Sequence, residues 1–316
     1  MLTLLRLLQD GCFHSGQDLG DALGVSRSAV WKQLQRLESE MGVLIHKVRG
    51  RGYQLAKPVS LLEAEGVLLP EGWSLHIRET VDSTNAEAMR LLMGGQSLPF
   101  VVLSERQTAG RGRRGRNWLS PFAENIYYSL ALRIESSARQ LEGLSLIVGL
   151  ATLQALRALG LWNAGLKWPN DVQVQGEKIA GVLLELTGDP ADVCHVVIGI
   201  GINVNMIDVG GINQPWTSMQ LELSRLVDRN EVVNELNRQL FSYLSLHADQ
   251  GFSVFQEEWE ANHIWQGRDV ALIAGSHQVR GRVLGIDSQG GLRLCVNGEE
   301  RIFSGGELSL RGYDDC

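Results

Sequence analysis

The sequence lacks any long apolar segment. None of its 316 residues belongs to an apolar run close to the roughly 20 residues that a membrane-spanning helix needs. The opening residues, Met1 to Arg6, reach a charge too early for the apolar part of a secretory signal. These absences argue against a membrane-embedded or secreted protein, and we expect a protein of the cytosol.

Cysteine and histidine are also sparse. The four cysteines, Cys12, Cys194, Cys295 and Cys316, show no CxxC spacing, and the seven histidines show no spacing typical of metal ligands. We therefore expect reduced thiols, and neither a disulfide framework nor a zinc site.

Charge is plentiful but unevenly placed in a chain whose net charge is −7. Residues 1–60 hold eight Lys or Arg against five Asp or Glu, a net charge of +3, which leaves −10 for the remainder. A basic segment joined to an acidic body indicates a nucleic-acid-binding module attached to a second activity. With 44% hydrophobic residues, the chain can form two or three packed domains.

The first 60 residues follow the pattern of a helix-turn-helix. Ser15, with Asp18 three residues later, marks one helix start, Gly24 marks the end of that helix, and Ser26 starts another. On the later helix, apolar residues recur at helical spacing, at Val30, Leu34 and Leu37. The other face carries side chains that can reach phosphates and base edges, and we predict DNA contacts from Ser26, Arg27, Ser28, Trp31, Lys32 and Gln35.

A basic β-hairpin is predicted next. Strand-like residues 44–48 and 53–55 flank Arg49-Gly50-Arg51-Gly52. A wing of this kind contacts backbone phosphate, so Arg49 and Arg51 are further DNA-binding candidates. A small helical protein-binding domain remains the alternative, and Pro58 marks the exit from this region.

The run Gly110-Arg111-Gly112-Arg113-Arg114-Gly115-Arg116 places four arginines among three glycines with no acid to balance them. Glycines let backbone amides approach a ligand closely, and guanidinium groups bind phosphate or carboxylate through two hydrogen bonds. The run also satisfies GxGxxG, but Asn117 to Pro121 cannot begin the helix that a dinucleotide-binding fold needs. We predict an anion-binding loop, with a solvated basic turn or a nucleic-acid patch as the alternative.

Four further motifs suit a polar or anionic ligand. The groups of Asp82-Ser83-Thr84-Asn85 either cap a helix or bind a ligand head group. Lys167-Trp168-Pro169-Asn170-Asp171 combines a cation, an amide and a carboxylate suited to phosphate and Mg²⁺. Lys178 enters the buried strand Ile179-Ala180-Gly181, where an ammonium needs an anionic partner. Gly199 and Gly201 leave a strand bare, as if something flat lies against it.

With the arginine-glycine run, these motifs stand in an α/β order typical of a mixed sheet and lie behind a winged helix. Over nearly its whole length the chain resembles the bacterial family of bifunctional biotin protein ligases and biotin operon repressors. The carrying segments are residues 82–85, 107–116, 167–171, 178–181 and 199–203. The resemblance implies an α+β protein with a winged helix-turn-helix over residues 1–60, a class II synthetase-like mixed α/β ligase domain over 61–266, and a small SH3-like β-barrel over 267–316. We expect the barrel strands at residues 268–273, 277–287, 292–296 and 301–310.

The resemblance also implies a two-step reaction. Biotin and ATP would form biotinyl-5′-AMP and pyrophosphate, and biotin would then pass to one lysine of a biotin carboxyl carrier protein. Catalysis is implied for Lys178, Arg111 and Arg113, because cations screen the repulsion between the biotin carboxylate and the α-phosphate. Mg²⁺ is the implied cofactor, with Asp171 as its candidate ligand, and Lys167 is a secondary catalytic candidate.

The binding residues follow from the same resemblance. For biotin it implies Ser83, Thr84, Asn85, Gln107, Gly110, Arg111, Gly112, Arg113, Lys178, Gly181 and Gly199. For ATP and the adenylate it implies Arg113, Arg116, Trp118, Lys167, Asn170, Asn203, Trp216 and Arg311. A core position for Trp216 and a purely structural role for Arg311 remain alternatives.

A chain that carries both a ligand site and a DNA-binding module suggests that the two are linked. If biotinyl-5′-AMP orders the loops and favours a homodimer, two recognition helices can engage two half-sites of operator DNA, with the adenylate as corepressor. Two other functions stay open. A lipoate or octanoate ligase is disfavoured by the winged helix and the full arginine-glycine run, and a biotin-sensing transcription factor without catalysis is disfavoured by Lys178 and the arginines.

Overall fold

The computed structural model describes residues 2–135, 140–188, 193–274, 277–305 and 308–312, so Cys316 lies outside the described residues. The chain forms a winged helix, a central mixed sheet with helices, and a C-terminal antiparallel sheet. This α+β arrangement confirms the predicted fold class.

The first part is the winged helix-turn-helix. Its elements are α1 (Leu2–Leu8), α2 (Gly16–Leu23), α3 (Arg27–Met41), β1 (Ile45–Val48) and β2 (Gly52–Leu55). Ser15 caps α2 by accepting a hydrogen bond from the Asp18 amide, and Ser26 caps α3 by accepting one from the Ala29 amide. Between the two helices Gly24 has a φ of +66°, which glycine adopts without strain. These local signals produce the predicted motif.

The winged-helix core extends beyond residue 60. Its cluster of buried side chains joins the leucines of α1 and the apolar face of α3 to Leu61, Phe122 and Ala123. Phe122 and Ala123 follow the arginine-glycine run, and only 6% of Phe122 is exposed. The DNA-binding module therefore shares its core with a loop of the central domain.

The second part is a seven-stranded mixed sheet. Its strands are β3 (Ser74–Arg78), β4 (Phe100–Ser104), β5 (Ile126–Glu135), β6 (Ala164–Lys167), β7 (Asp171–Val174), β8 (Glu177–Gly188) and β9 (Val193–Ile202). The strand order is β3-β4-β5-β9-β8-β7-β6, and β3 runs parallel to β4 while the other neighbours are antiparallel. The accompanying helices are α4 (Thr84–Met93), α5 (Leu144–Ala158), α6 (Met219–Leu223), α7 (Arg229–Gln250) and α8 (Gln256–Ala261).

Helix α5 lies in the interior of this domain. Eleven of its 15 residues are buried, and it packs against α7 and against β6 to β8. A helix that is apolar on most sides is stable only in such an interior position. The helix begins at Leu144, directly after Gly143, which has a φ of +63° and packs against the Phe252 ring.

The third part is a five-stranded antiparallel sheet. Its strands are β10 (Asp269–Ala274), β11 (His277–Ile286), β12 (Leu292–Val296), β13 (Glu299–Phe303) and β14 (Ser309–Gly312), in the order β13-β12-β11-β10-β14. The prediction of one strand over residues 301–310 was wrong. β13 ends at Phe303, and after Gly305 the chain crosses to pair β14 with β10.

Two elements of the central domain were missed from the sequence. Strand β6 has four residues and includes Gly165, and α6 has five residues. Elements this short carry too few residues to show a clear apolar period. β6 matters for the site, because it sets the position of Lys167 at the edge of the sheet.

No helix within the described ranges is long and apolar enough to cross a membrane. Cys12, Cys194 and Cys295 are free thiols. In the same part of the chain, no three His, Cys, Asp or Glu side chains come together as a metal site.

Candidate active site

An open cleft of about 460 Å³ collects most of the predicted ligand-binding residues. The start of α4, the arginine-glycine run and strands β5, β8 and β9 line it. The predicted residues in the lining are Ser83, Thr84, Asn85, Gln107, Arg111, Gly112, Arg113, Trp118, Asn170, Lys178, Gly181 and Gly199. A concave site that combines glycines and aromatic rings with a few converging polar groups suits a small organic ligand.

One end of the cleft is polar and tightly hydrogen-bonded. Gln107 Oε1 accepts hydrogen bonds from the Thr84 amide (2.9 Å) and hydroxyl (3.1 Å), and Gln107 Nε2 donates to Ser120 Oγ (2.8 Å). Ser83 occupies the N-cap position of α4, but its hydroxyl makes no capping hydrogen bond. Helix capping therefore does not account for Ser83, and a ligand role remains the better explanation of its hydroxyl.

Gly110 permits the loop to close. A Cβ atom there would lie 2.4 Å from the Trp118 carbonyl oxygen and 2.7 Å from Ser120 Oγ. The Gly110 carbonyl accepts a hydrogen bond from the Trp118 amide at 2.9 Å. Gly110 is the one predicted biotin residue outside the cleft lining, so its place in the structure is explained by this close approach of two backbone segments.

Two cations face the cleft with polar partners. The Lys178 ammonium lies 2.7 Å from Asp171 Oδ1, at angles outside hydrogen-bond geometry, so the attraction is mainly that of two charges. Arg113 donates to Asn170 Oδ1 at 2.8 Å and also to the Gly305 carbonyl. Burial lowers the pKa of the Arg113 guanidinium, an effect that the Asp171 charge opposes. Positive charge is thus fixed in a partly desolvated site before any anion binds.

Side chains of the protein itself cover the bare strand. A Cβ at Gly199 would lie 2.4 Å from Asn85 Oδ1, and a Cβ at Gly201 would lie 2.4 Å from Trp118 Cε2. The flat groups against β9 are therefore the Asn85 amide and the Trp118 indole. The Trp118 Nε1 atom is buried and has no hydrogen-bond partner among the residues that the structure describes, and the Lys178 ammonium lies 5.3 Å from the ring centroid. These contacts put the indole beside the catalytic candidate.

Comparisons with known proteins agree along the whole chain. The model of the Biotin/lipoate A/B protein ligase family matches residues 78–203, an HTH domain matches residues 1–54, and the Biotin protein ligase C terminal domain matches residues 267–311. The bifunctional ligase/repressor BirA of Escherichia coli (strain K12) is 40% identical over 316 residues, which cover 99% of this chain and 98% of that protein. This chain belongs to the biotin protein ligase family.

Other members are similarly close. The bifunctional ligase/repressor BirA of Bacillus subtilis (strain 168) is 32% identical over 304 residues, or 92% of each chain. The structure of a biotin protein ligase from Aquifex aeolicus in complex with biotin and ATP superposes with a TM-score of 0.66 at 30% identity, covering 76% of this chain and 99% of that one.

In this biotin protein ligase family member, the nucleotide candidates fall into two groups. Arg113, Trp118 and Asn170 line the cleft, whereas Lys167, Arg116, Asn203, Trp216 and Arg311 do not. The Lys167 ammonium instead lies 5.0 Å from the centroid of the Trp265 ring, because β6 is the edge strand. Arg311 is exposed on β14, where it pairs with Ala271 of β10. The structure therefore does not bring Lys167 or Arg311 to the cleft.

Asn203 and Trp216 lie behind Lys178 rather than in the cleft. The Asn203 Nδ2 atom donates to the carbonyls of Lys178 (3.3 Å) and Thr217 (3.0 Å). The Trp216 backbone bridges to Lys178, whose amide donates to the Pro215 carbonyl. The Trp216 side chain is half-buried. Both residues support the backbone of Lys178, and a direct nucleotide contact from either stays a prediction.

The sequence analysis did not identify five lining residues of the cleft, which are Tyr127, Tyr128, Val182, Leu183 and Ile200, or one charged residue beside the cleft. Glu185, on β8, accepts hydrogen bonds at Oε2 from Asn85 Nδ2 (2.7 Å) and from Arg111 Nη2 (2.9 Å). It lies 100 residues from Asn85 and 74 from Arg111, and no short motif contains it. The unbalanced charge of the arginine-glycine run was the available signal, because it required acids from elsewhere in the chain.

The predicted DNA-reading residues share one exposed surface of the winged helix. Ser26, Arg27, Ser28, Trp31, Lys32 and Gln35 are all exposed, with 45% of Trp31 accessible to solvent. Arg49 and Arg51 are exposed at the hairpin, and the Arg51 guanidinium lies 4.2 Å from the centroid of the Phe13 ring. An exposed tryptophan among cationic and hydroxyl side chains suits a nucleic-acid interface.

A buried ion pair ties the linker after the winged helix to the central sheet. Arg229 and Glu105 contact each other with no exposed side-chain surface. Arg229 also donates to the carbonyls of Ser60 (2.7 Å) and Asn125 (2.9 Å), and Glu105 accepts a hydrogen bond from the Leu62 amide (2.7 Å). Glu105 directly precedes the segment that carries Gln107 and the arginines. The linker, β4 and the ligand-binding loop are therefore held by one network.

Proposed function

We propose that this protein is an ATP-dependent biotin protein ligase that is also a DNA-binding repressor. The observation that carries the ligase proposal is the convergence of Arg111, Arg113 and Lys178 on a single glycine-floored cleft. Three cations in one partly buried cleft are suited to a reaction that brings two anions together. The full-length similarity to bifunctional ligase/repressors supports the same activity.

In the first step, the biotin carboxylate attacks the α-phosphorus of ATP, biotinyl-5′-AMP forms and pyrophosphate leaves. Lys178 and Arg113 bind the α-phosphate and offset the charge that develops on its oxygens, and Arg111 holds the carboxylate of biotin. Lys178 is suited to this role because Asp171 holds its ammonium in place. Asp171 would be the carboxylate that holds a phosphate-bound Mg²⁺, which would supply positive charge beside the leaving pyrophosphate.

Ligand recognition divides along the cleft. Ser83, Thr84 and Gln107 provide hydroxyl and amide groups that match the ureido group of biotin. Gly199 and Gly181 let Asn85 and Lys178 lie close to the strands, so that these two side chains face the bicycle of biotin. Trp118 lies against Gly201 and covers the Lys178 side. Exclusion of water matters in this site, because an acyl-adenylate is a mixed anhydride that hydrolyses readily. In the second step, biotin passes to one lysine of a biotin carboxyl carrier protein and AMP is released.

The test is pyrophosphate release by the purified protein with Mg-ATP and biotin, beside lipoate and octanoate as the alternative acids. We expect release with biotin only, and mass analysis of the bound product should find biotinyl-5′-AMP. Pyrophosphate release with lipoate or octanoate would show that this acid, and not biotin, is the substrate. Absence of release with every acid would leave a ligand-sensing transcription factor.

The repressor proposal rests on the exposed recognition surface and on the shared core. Biotinyl-5′-AMP orders the arginine-glycine run, a homodimer forms, and two copies of α3 engage two half-sites of the operator with the adenylate as corepressor. Phe122 and the pair of Arg229 with Glu105 give a physical connection between the two activities. In a gel-shift assay, the protein should bind operator DNA more tightly with biotin and ATP than without them. Unchanged binding would exclude the repressor proposal and leave the ligase proposal intact.

A further inference from the structure

Glu185 makes two contacts with the candidate biotin-binding residues. Its Oε2 atom accepts from Asn85 Nδ2 at 2.7 Å and from Arg111 Nη2 at 2.9 Å, while 26% of its side chain is exposed. The three residues come from β8, α4 and the arginine-glycine run. One carboxylate oxygen thus joins the floor of the cleft to the loop that covers it.

The Asn85 amide is held at both ends. Its Oδ1 atom accepts a hydrogen bond from Ser129 Oγ at 2.6 Å, and its Nδ2 atom donates to Glu185. The amide lies flat against Gly199, where a Cβ would approach Oδ1 to 2.4 Å. A buried amide with a donor facing one end and a carboxylate facing the other has one favourable orientation. The Nδ2 atom also donates to the Leu183 carbonyl at 3.4 Å, so Glu185 and Leu183 together decide which atoms of Asn85 face each side of the cleft.

The contact with Arg111 supplies a negative charge to the arginine-glycine run, which has none of its own. The contact uses a single N–H of the five that a guanidinium carries. The remaining N–H groups of Arg111 can therefore donate to a ligand carboxylate while the hydrogen bond to Glu185 is kept. Across the cleft Asp171 stands in the same relation to Lys178, at 2.7 Å.

We propose that Glu185 is a positioning residue for biotin, acting through Arg111 and Asn85. The proposal rests on the ligase function given above. Glu185 holds the Arg111 guanidinium over the cleft and fixes the Asn85 amide, so that the biotin subsite is formed before biotin arrives. Its effect falls on biotin binding rather than on the chemical step, because Lys178 and Arg113 are held by other partners, Asp171 and Asn170.

The test is Glu185→Gln, which keeps the shape of the side chain and removes its charge. We expect the biotin KM for adenylate formation to rise about tenfold, as for the loss of one charge-assisted hydrogen bond. We expect the ATP KM and kcat to stay within about twofold of wild type. In an Arg111→Met background, Glu185→Gln should raise the biotin KM by clearly less, since most of its effect passes through Arg111.

Glu235→Gln is the matched control. Glu235 on α7 also accepts from an arginine and from an amide, Arg238 (2.5 Å) and Gln239 (2.8 Å), and is 17% exposed. This variant should leave the biotin KM unchanged. An unchanged biotin KM in Glu185→Gln, or a full effect in the Arg111→Met background, would overturn the positioning role. In both of these cases wild-type protein still releases pyrophosphate with biotin, whereas failure of the ligase proposal would abolish that release in wild type itself.

Discussion

The Lys178 ammonium lies 2.7 Å from the Asp171 carboxylate, and its other near neighbour is the face of the Trp118 ring, at 5.3 Å from the centroid. The nearby carboxylate offsets part of the cost of burying the ammonium, whose side chain is only 15% exposed. The pair spans β7 and β8, which are neighbours in the sheet. Lys178 is therefore placed by rigid elements, as the stabilisation of a developing charge requires.

Replacement of Lys178 by alanine should abolish measurable adenylate formation. Loss of one preorganised cation is expected to lower kcat by about 10²–10³-fold or more, while the helical content of the variant stays that of wild type. Pyrophosphate release and circular dichroism measure the two effects. Lys167→Met provides the contrast, because Lys167 lies beside Trp265 rather than in the cleft. If Lys178→Ala retains turnover and Lys167→Met loses it, Lys167 and not Lys178 is the principal catalytic lysine.

A methyl group at position 199 should damage the biotin subsite. In Gly199→Ala the new Cβ would come within 2.4 Å of Asn85 Oδ1, so the amide must move and break its bonds with Ser129 and Glu185. We expect a loss of stability of about 1–3 kcal/mol, and a fall in kcat/KM for biotin on the order of 10²-fold. Gly210→Ala is the control, since a Cβ there meets nothing within 4 Å. Equal activity of the two variants would contradict the close packing described for β9.

The buried pair of Arg229 and Glu105 should be costly to break. Arg229→Met leaves the Glu105 carboxylate without its cation in a site with no exposed surface, at a cost of about 3–5 kcal/mol in the free energy of unfolding. Arg282→Met removes a cation of which 62% is exposed from its pair with Asp269, and should leave the free energy of unfolding nearly unchanged. Urea unfolding of both variants measures the difference. Similar values for the two would show that the buried network contributes little.

His263 should make stability depend on pH. Its ring is buried between Trp259 and Trp265, and among the described residues no hydrogen bond reaches either ring nitrogen. Burial lowers the pKa of the imidazole to about 4, against an ordinary value of about 6.5, and the nearby Gln266 amide opposes this only in part. The unfolded chain therefore binds more protons between these values. The contribution of His263 is complete above about pH 6.5 and falls as the pH drops towards 4.

The measurement is urea unfolding of wild type and His263→Phe at pH 7 and pH 4.5. From pH 7 to pH 4.5 the free energy of unfolding of wild type should fall by on the order of 2–3 kcal/mol more than that of the variant. His46→Gln, at an exposed position of β1, should behave as wild type. An identical pH dependence in wild type and His263→Phe would show that this imidazole is already charged in the folded protein.

Much of the fold could be predicted because its signals are local. Ser15, Gly24 and Ser26 act on their own helices, and the turn of Arg49 to Gly52 joins two adjacent strands. The prediction for the C-terminal region was wrong at residues 301–310, where the strand pairing depends on residues distant in sequence. Strand β14 pairs with β10 across some 40 residues of chain, and no spacing in the sequence reports such a pairing.

The same division applies to the site. Motif residues such as Arg113, Asn170 and Lys178 lie together in the cleft, because Asn170 and Lys178 lie at the starts of strands of one sheet and Arg113 donates a hydrogen bond to Asn170. Glu185 was missed because its role depends on two partners that are distant in sequence. The position of Lys167 could not be predicted for a different reason. It lies at the end of β6, a short edge strand that the sequence does not reveal, and its ammonium lies beside the Trp265 ring.

The burial of Phe122 in the winged-helix core bears on how the protein can be divided. A catalytic fragment cut after residue 60 would expose an aromatic ring two positions from Ser120, whose hydroxyl holds Gln107 in the cleft. Such a fragment would expose an apolar patch beside the arginine-glycine run. We expect the fragment to self-associate and the run to be less well ordered. A stable catalytic fragment that lacks the winged helix therefore needs a polar residue in place of Phe122. The same substitution in the full-length protein should weaken the packing of the winged helix against the central domain.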